Sequence, residues 1–205
     1  MDILENLRLF LGIALSKEAT ERLSALAERM ANELPYRLWT HPADYHITLH
    51  FLGETPAERV DAIAAAAEAA AAGRAPLALA LGEPGTFGPA GAPRVLWCGV
   101  REPGAAAGAL AALQAALGER LTASAGFVPE ARPYRAHITL ARKGGPGGGP
   151  DAAARAWRSA VRALEPDEAG AFAWTAGSIT LFRTHLGRRP SYERLHEFPF
   201  HGAGE

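Results

Sequence analysis

The segment DYHITLHFLG, residues 44–53, decides the fold, because its central tetrapeptide His-Ile-Thr-Leu recurs at 137–140 within YRAHITLARK, residues 134–143. Alternate residues of a β-strand point to opposite faces. Each copy therefore predicts a strand that turns isoleucine and leucine toward a core and presents histidine and threonine together on the other face. One such pattern is often only a half-buried polar pair, but two copies in one chain indicate a paired functional site.

The two copies occupy equivalent places in a repeated plan. Arg8 precedes His46 by 38 residues, and Arg94 precedes His137 by 43. We interpret this as an internal duplication, which predicts one domain over residues 1–205 with two similar lobes, related by an approximate twofold axis, around a cleft that holds both histidines. The periodicity predicts strands over 7–14, 45–52, 94–100 and 136–141, and helices over 17–33 and 105–121.

Turn and capping signals divide the rest of the chain. Thr55-Pro56-Ala57-Glu58 has the form of a capping box with proline at the first helical position, which predicts a helix to about residue 72. Pro199 predicts that the last strand lies at a sheet edge. The other predicted elements are a strand over 77–81, a glycine-rich loop over 144–149, a helix from Asp151 to about 164, and strands over 178–183 and 192–200.

Composition limits the class of protein. Of 205 residues, 48% are hydrophobic and 21% are charged, which suits an ordinary globular fold. The single cysteine, Cys98, allows no intrachain disulfide, and its apolar neighbours in RVLWCGV predict a core position. The apolar stretch 9–15 is too short to cross a membrane or to serve as a signal peptide, so we expect a cytoplasmic protein with no membrane partner.

The net charge excludes a further class of protein. It is −1, so the chain lacks the broad positive field of a protein that coats duplex nucleic acid. An anionic substrate must therefore meet a local site. Two basic segments are equally consistent with such a site and with solvated surface. The first contains Arg132, Arg135, Arg142 and Lys143, and the second contains Arg183, Arg188 and Arg189.

Histidine and threonine together suit proton transfer at a phosphate. An imidazole pKa of about 6.5 lets one ring be neutral and another protonated near pH 7, so one can act as base and one as acid. Threonine hydroxyls donate hydrogen bonds to non-bridging phosphate oxygens, and a nearby arginine neutralises the anion. This chemistry requires no metal.

Five segments carry a resemblance to a known family: RLFLGIAL, HPADYHITLHFLGE, FGPAGAPRVLWCGV, RPYRAHITLAR and ITLFRTHLGRRPSYERLHEFPF. They resemble the two-histidine (2H) phosphoesterase superfamily, in its branch of LigT-like or ThpR-like RNA 2′,3′-cyclic phosphodiesterases, over nearly the whole chain. The resemblance implies a bilobal α+β fold in which antiparallel sheets with flanking helices surround a central cleft. It also implies hydrolysis of cyclic phosphates to 2′-phosphates without a cofactor or metal, and without an obligate protein partner.

The resemblance also implies roles for the motif residues. His46 would be the proton donor to the departing 3′ oxygen, and His137 the proton acceptor that activates water. Thr48 and Thr139 would hold the phosphate. The substrates would be RNA ends or small cyclic nucleotides.

Three further residues are implied as substrate contacts. Phe51 would stack on a base, Arg142 would contact the phosphate, and Tyr134 is an additional contact. A departure from the family pattern lies at Ala136, where relatives are expected to carry proline.

Other interpretations of the same residues remain open. His41, His46 and His50 suggest a zinc site, in which His46 and His50 would share a strand face, although zinc needs three or four converging ligands. A binding module that holds RNA ends without catalysis would use overlapping residues. Within the enzyme class, a 2′-5′ RNA ligase or phosphodiesterase, or a hydrolase of another small cyclic nucleotide, is equally compatible with the sequence.

Overall fold

The computed structural model describes residues 6–104, 107–164 and 172–202, which form eleven β-strands and four α-helices. The strands are β1 (Asn6–Ala14), β2 (Tyr36–Trp39), β3 (His46–Pro56), β4 (Ala72–Gly73), β5 (Leu77–Phe87), β6 (Val95–Arg101), β7 (His137–Gly144), β8 (Ala173–Ala176), β9 (Ser178–Thr184), β10 (Tyr192–Pro199) and β11 (His201–Gly202). The helices are α1 (Lys17–Ala31), α2 (Val60–Ala71), α3 (Ala109–Ala125) and α4 (Pro150–Arg162), with 3₁₀ turns at Pro42–Asp44 and Ala57–Arg59.

The strands form a nine-stranded antiparallel sheet whose order is symmetric about its centre. The order is β10-β9-β1-β3-β7-β6-β5-β8, and β2 pairs with β7 outside this path. Counting outward from the β3–β7 junction, β1 matches β6, β9 matches β5 and β10 matches β8. The expected α+β class, with two related halves of antiparallel sheet, is therefore confirmed. The expected edge position of β10 is also confirmed, since it ends the order.

The two halves meet at one pair of residues from the repeated tetrapeptide. Ile47 of β3 lies opposite Ile138 of β7, and both side chains are fully buried. They belong to the apolar core that fills the space between the sheet and helices α1 to α4, where Leu23, Leu113 and Trp157 also lie. The motif isoleucines thus turn inward, as predicted, and leave the opposite face of both strands to polar side chains.

A register shift in β3 changes which residues share a face. Gly12 pairs with Thr48, Leu11 with His50 and Phe10 with Phe51, so one extra residue of β3 is accommodated between Thr48 and His50. Paired residues of an antiparallel sheet point to the same side, so this β-bulge returns Phe51 to the face of Thr48.

The same bulge corrects one expectation from simple alternation. It places His50 on the core side with Leu11, where His50 is buried and does not share a face with His46. The alternative of a zinc site assumed that His46 and His50 share a strand face, and the structure does not support that assumption.

Several predicted boundaries are also wrong, because pairing partners outweigh local signals. Thr55 does not cap a helix; it lies in β3, which continues to Pro56, and its hydroxyl donates to the Gly53 carbonyl. Strand β2 was not predicted, and it is held by pairing with β7. Asp151 lies inside α4, whose N-cap is Gly149. The predicted start of α3 at 105 lies outside the described residues.

Other strand ends differ for the same reason. Strand β7 extends to Gly144, into the predicted glycine-rich loop, where Gly144 pairs with Tyr36. Strand β5 continues past residue 81 to Phe87 through an irregular register against β6. Cys98 is fully buried, as expected, and burial raises its pKa to about 12. No helix in the described residues is long and apolar enough to cross a membrane.

Gly118→Ala should test the packing of α3 against β3. A Cβ at Gly118 would lie 2.9 Å from Cε1 of His50, whose Nε2 is 2.7 Å from the Gln114 carbonyl oxygen. Overpacking costs about 1–3 kcal/mol, whereas alanine in place of glycine favours a helix by about 1 kcal/mol. We therefore expect the free energy of unfolding in urea to fall by about 1 kcal/mol.

A double-mutant cycle supplies the control. In a His50→Ala background, the same Gly118→Ala change should raise the free energy of unfolding by about 1 kcal/mol, because only the helix preference remains. Stabilisation by Gly118→Ala in both backgrounds would show that the contact with the imidazole does not constrain α3.

Candidate active site

The two motif histidines are held by the same hydrogen bond. Nδ1 of His46 lies 2.7 Å from the carbonyl oxygen of Asp44, and Nδ1 of His137 lies 2.8 Å from that of Arg135. Because a carbonyl oxygen accepts only, each Nδ1 carries the proton and donates it two residues back along the chain. Each neutral ring therefore keeps its lone pair on Nε2.

The strand register brings the four predicted motif side chains together on one face. With Ile47 opposite Ile138, the antiparallel register runs from this pair toward Thr48 and His137 in one direction and toward His46 and Thr139 in the other. The two histidines therefore lie on opposite sides of the Ile47–Ile138 pair along the strands, and their side chains face the same side of the sheet.

A cleft of about 690 Å³ opens beside this junction. Five of the seven predicted site residues line it: Thr48, Phe51, Tyr134, His137 and Arg142. His46 reaches the cleft through its neighbour, since its Nε2 lies 3.0 Å from the Thr48 hydroxyl. Thr139 follows His137 on the same face of β7. All seven predicted residues therefore belong to one region.

Aromatic rings surround both imidazoles. Phe10 lies 4.6 Å from the His46 ring and Tyr192 lies 5.0 Å from it, edge-on. Phe87 lies 5.1 Å from the His137 ring, also edge-on, with Trp97 at 6.0 Å. These rings displace part of the water around each half-buried imidazole, which disfavours the charged imidazolium.

The surroundings lower the pKa of both histidines. Burial lowers the pKa of His46 to about 4, against the opposing effects of the Asp44 carbonyl hydrogen bond and the Asp44 charge. Burial also lowers the pKa of His137, with further contributions from the positive charges of Arg142 and Arg135. Both rings are consequently neutral at pH 7 in the ligand-free protein.

Phe51 and Tyr134 offer ring surfaces in the cleft. The Phe51 side chain is 51% exposed, unusually so for phenylalanine, and Arg8 lies over its ring at 5.5 Å. Tyr134 is half-buried, its burial raises the pKa of the phenol, and its hydroxyl has no hydrogen-bond partner among the described residues. An exposed aromatic face and a hydroxyl without a partner are suited to ligand contact.

Arg142 connects the two sides of the junction. It lies on β7, lines the cleft and is close enough to Tyr192 of β10 for its guanidinium to act on the pKa of that phenol. Burial raises the pKa of Tyr192, and the adjacent guanidinium opposes that rise. Tyr192 was not predicted as a site residue, although it lies in a quoted family segment, because its approach to His46 depends on the pairing of β10 with β9.

Asp44 is a second residue that sequence reasoning missed. Its side chain is only 6% exposed, and its carboxylate accepts hydrogen bonds from the backbone N–H of Ser191 at 3.0 and 2.9 Å and from that of Tyr192 at 3.0 Å. Its carbonyl oxygen meanwhile orients His46. Asp44 thus fixes His46 and Tyr192 together. An aspartate two residues before the motif was the available signal, but its partners lie 147 residues away.

Known proteins place the chain in a family. The family model for LigT-like phosphoesterases matches residues 13–97 and 100–192. The chain belongs to the LigT-like phosphoesterase family. This membership confirms the resemblance to two-histidine phosphoesterases that the motifs indicated.

Two relatives in this LigT-like family are named RNA 2′,3′-cyclic phosphodiesterase. The protein of Geobacillus stearothermophilus is 37% identical over 204 residues, which cover 95% of this chain and 57% of the relative. The chain thus spans little more than half the length of that relative. The protein of Bacillus subtilis strain 168 is 31% identical over 167 residues, covering 80% of this chain and 81% of the relative.

Solved structures show the same fold as this LigT-like chain. A crystal structure of a Thermus thermophilus protein and that of E. coli LigT complexed with 3′-AMP each superpose with a TM-score of 0.67 at 24% identity. Both matches cover 96% of this chain and 99% of the other.

The lowered pKa of His46 predicts a loss of stability in acid. Between pH 6.5 and 4 the imidazole is protonated in the unfolded chain but stays neutral in the folded protein. The free energy of unfolding should therefore fall as the pH decreases through this window. The shift corresponds to a contribution of up to about 3 kcal/mol. Urea unfolding at pH 7 and pH 4.5 should show a smaller decrease for His46→Gln than for the unsubstituted protein.

His196→Gln is the control for the acid experiment, because His196 is exposed on β10. It should retain the full decrease in stability. An equal pH dependence in the His46→Gln variant and the unsubstituted protein would contradict a neutral buried His46.

Asp44→Asn should loosen the attachment of β10. The backbone N–H groups of Ser191 and Tyr192 now donate to the Asp44 carboxylate, and the NH₂ group of an amide cannot accept from them. Hydrogen bonds to a charged group contribute about 1.5–3 kcal/mol. We expect the free energy of unfolding to fall by about 2 kcal/mol. Glu58→Gln, at an exposed carboxylate, should change it by less than about 0.5 kcal/mol; equal effects would contradict the Asp44 contacts.

Proposed function

We propose that the protein is an RNA 2′,3′-cyclic phosphodiesterase that hydrolyses the cyclic phosphate to a 2′-phosphate with two histidines and no metal. One observation carries the proposal: both motif histidines donate from Nδ1 to the chain and so direct Nε2 toward the same face beside one cleft. An acid and a base on either side of a phosphorus atom are what hydrolysis of a cyclic phosphodiester requires. The family membership and the names of the two relatives support the same activity.

In the proposed reaction, His137 is the general base. Its neutral Nε2 takes a proton from water as the water oxygen bonds to phosphorus. The bond between phosphorus and the 3′ oxygen breaks, and Nε2 of His46 donates a proton to that oxygen. The products are a 3′ hydroxyl and a 2′-phosphate. His137 then releases its proton to solvent, which balances the proton that His46 takes up on substrate binding and restores the neutral resting pair.

His46 must be protonated before it can act as acid, although burial keeps it neutral in the ligand-free protein. The anionic substrate supplies the missing stabilisation, because a negative charge within a few ångströms favours the imidazolium. Substrate binding is therefore proposed to take up a proton at His46. His137, beside Arg142 and Arg135, is held neutral for the role of base.

The remaining predicted residues would hold the substrate. Thr48 and Thr139, beside the two imidazoles, would donate to non-bridging oxygens of the phosphate, and Arg142 would neutralise the charge that develops on them. Phe51 and Tyr134 would contact the terminal nucleoside from the cleft side. The cleft of about 690 Å³ lies in the range of pockets for ligands of this size.

Turnover of 2′,3′-cyclic AMP by single histidine variants tests the proposal. Loss of a general acid or base reduces rate by roughly 10²- to 10⁴-fold, so His46→Asn and His137→Asn should each lower kcat by that factor. His196→Asn, an exposed control on β10, should retain full activity. Unchanged turnover in both motif variants would overturn the proposal.

The same assay separates the alternative interpretations. A zinc-dependent hydrolase would lose activity with a strong chelator, whereas the proposed reaction is indifferent to it. A module that only binds RNA ends would give no turnover in the unsubstituted protein. Mapping of the product end separates the hydrolase from a 2′-5′ ligase, because hydrolysis leaves a 2′-phosphate.

A further inference from the structure

We propose that the β9–β10 hairpin loop, residues 185–191, binds the phosphate backbone of the RNA chain that leads into the reacting end. This inference rests on the proposed function and deepens it, because it assigns a separate contact site to the nucleotides that precede the cyclic phosphate. The residues that would contact the backbone are Arg188 and Arg189.

The loop adjoins the site directly. Tyr192, which follows the loop, contacts the His46 ring edge-on at 5.0 Å and lies near the guanidinium of Arg142, which lines the cleft. Arg189 donates a hydrogen bond from Nη2 to the carbonyl oxygen of Trp39 on β2, at 3.3 Å. Strand β2 pairs with β7, and Leu38, the residue before Trp39, lies opposite Arg142. A continuous surface therefore runs from the phosphate position past Arg142 to Arg189 and Arg188.

The loop is held in place from both ends. The backbone N–H of His185 donates to the Ser191 carbonyl at 2.7 Å, and the Ser191 hydroxyl donates to the Arg188 carbonyl at 2.9 Å. The buried carboxylate of Asp44 binds the backbone of Ser191 and Tyr192. A rigid loop spares the entropy of ordering its backbone when a ligand binds.

The charge of the loop suits a polyanion. Arg188 and Arg189 are exposed, and neither forms an ion pair with a described residue. The carboxylate of Glu193, on the adjoining strand β10, accepts a hydrogen bond from His185 at 2.6 Å. This hydrogen bond and the charges of His185, Arg183 and Arg188 lower the pKa of Glu193. Two arginines on a fixed loop beside the proposed phosphate site are suited to bind the backbone phosphates of the preceding nucleotides.

A second arginine group provides a matched control. Arg155, Arg158 and Arg162 line an exposed groove on α4, which packs against α1 and β5. No described residue pairs with these arginines through an ion pair. Among the described residues, the lining of this groove shares no residue with the cleft, so the groove tests whether positive surface charge alone would bind the RNA.

The experiment compares two double variants, Arg188→Gln/Arg189→Gln and Arg155→Gln/Arg158→Gln, which remove equal charge. Each is assayed for kcat/KM on 2′,3′-cyclic AMP and on a six-nucleotide RNA ending in a cyclic phosphate, over a series of salt concentrations. For the loop variant we expect kcat/KM on the oligonucleotide to fall about tenfold, with cyclic AMP turnover within about twofold. The salt slope should become shallower by about 1.4, since each phosphate neutralised on a single strand contributes about 0.7.

Each alternative result has a defined meaning. Oligonucleotide turnover that is unchanged in the loop variant, or reduced equally by the α4 variant, overturns the inference. An equal loss on both substrates also overturns it, because the loop would then act on the catalytic centre. If the unsubstituted protein turned over neither the oligonucleotide nor cyclic AMP, that result would instead refute the proposed function.

Discussion

The pairing of Ile47 with Ile138 is the interaction on which the rest of the structure depends. It joins the two halves of the sheet at the centre of the repeated tetrapeptide, and both side chains are buried in the common core. Because side chains alternate along a strand, burying these two isoleucines fixes the opposite face for both histidines and both threonines. One apolar contact therefore sets the geometry of four polar groups, and a slip of one residue in either strand would turn a histidine into the core.

The position of the histidines also explains their resting protonation. Strands β1, β6 and their neighbours carry aromatic rings onto the same face, where Phe10 and Tyr192 shield His46, and Phe87 and Trp97 shield His137. The resulting desolvation outweighs the carbonyl hydrogen bonds that favour a charged ring. In the proposed reaction an anionic substrate reverses this balance, so proton uptake at His46 would accompany substrate binding.

Local sequence predicted the two central strands better than the strand pairings and hydrogen bonds that involve distant parts of the chain. The His-Ile-Thr-Leu repeat predicted both central strands and the residues that face inward, because burial and alternation act within a few residues. The family resemblance added Phe51, but simple alternation would have turned it away from His46; the bulge after Thr48 returns it. Strand β2, the extension of β3 through Thr55 and the role of Asp44 depend on partners far along the chain. No local pattern encodes them.

The two halves place nearly equivalent histidines in different electrostatic surroundings. The Asp44 carboxylate favours the charged form of His46, against burial, His137 and Arg142, which together lower its pKa to about 4. The neighbouring charges that act on His137 are the guanidinium groups of Arg142 and Arg135, and both disfavour its charged form. In the proposed reaction the phosphate charge acts on both rings, and the Asp44 carboxylate adds to it only at His46, which supports the proposed role of His46 as proton donor. A duplicated structural plan can thus support two distinct roles through the residues around each histidine.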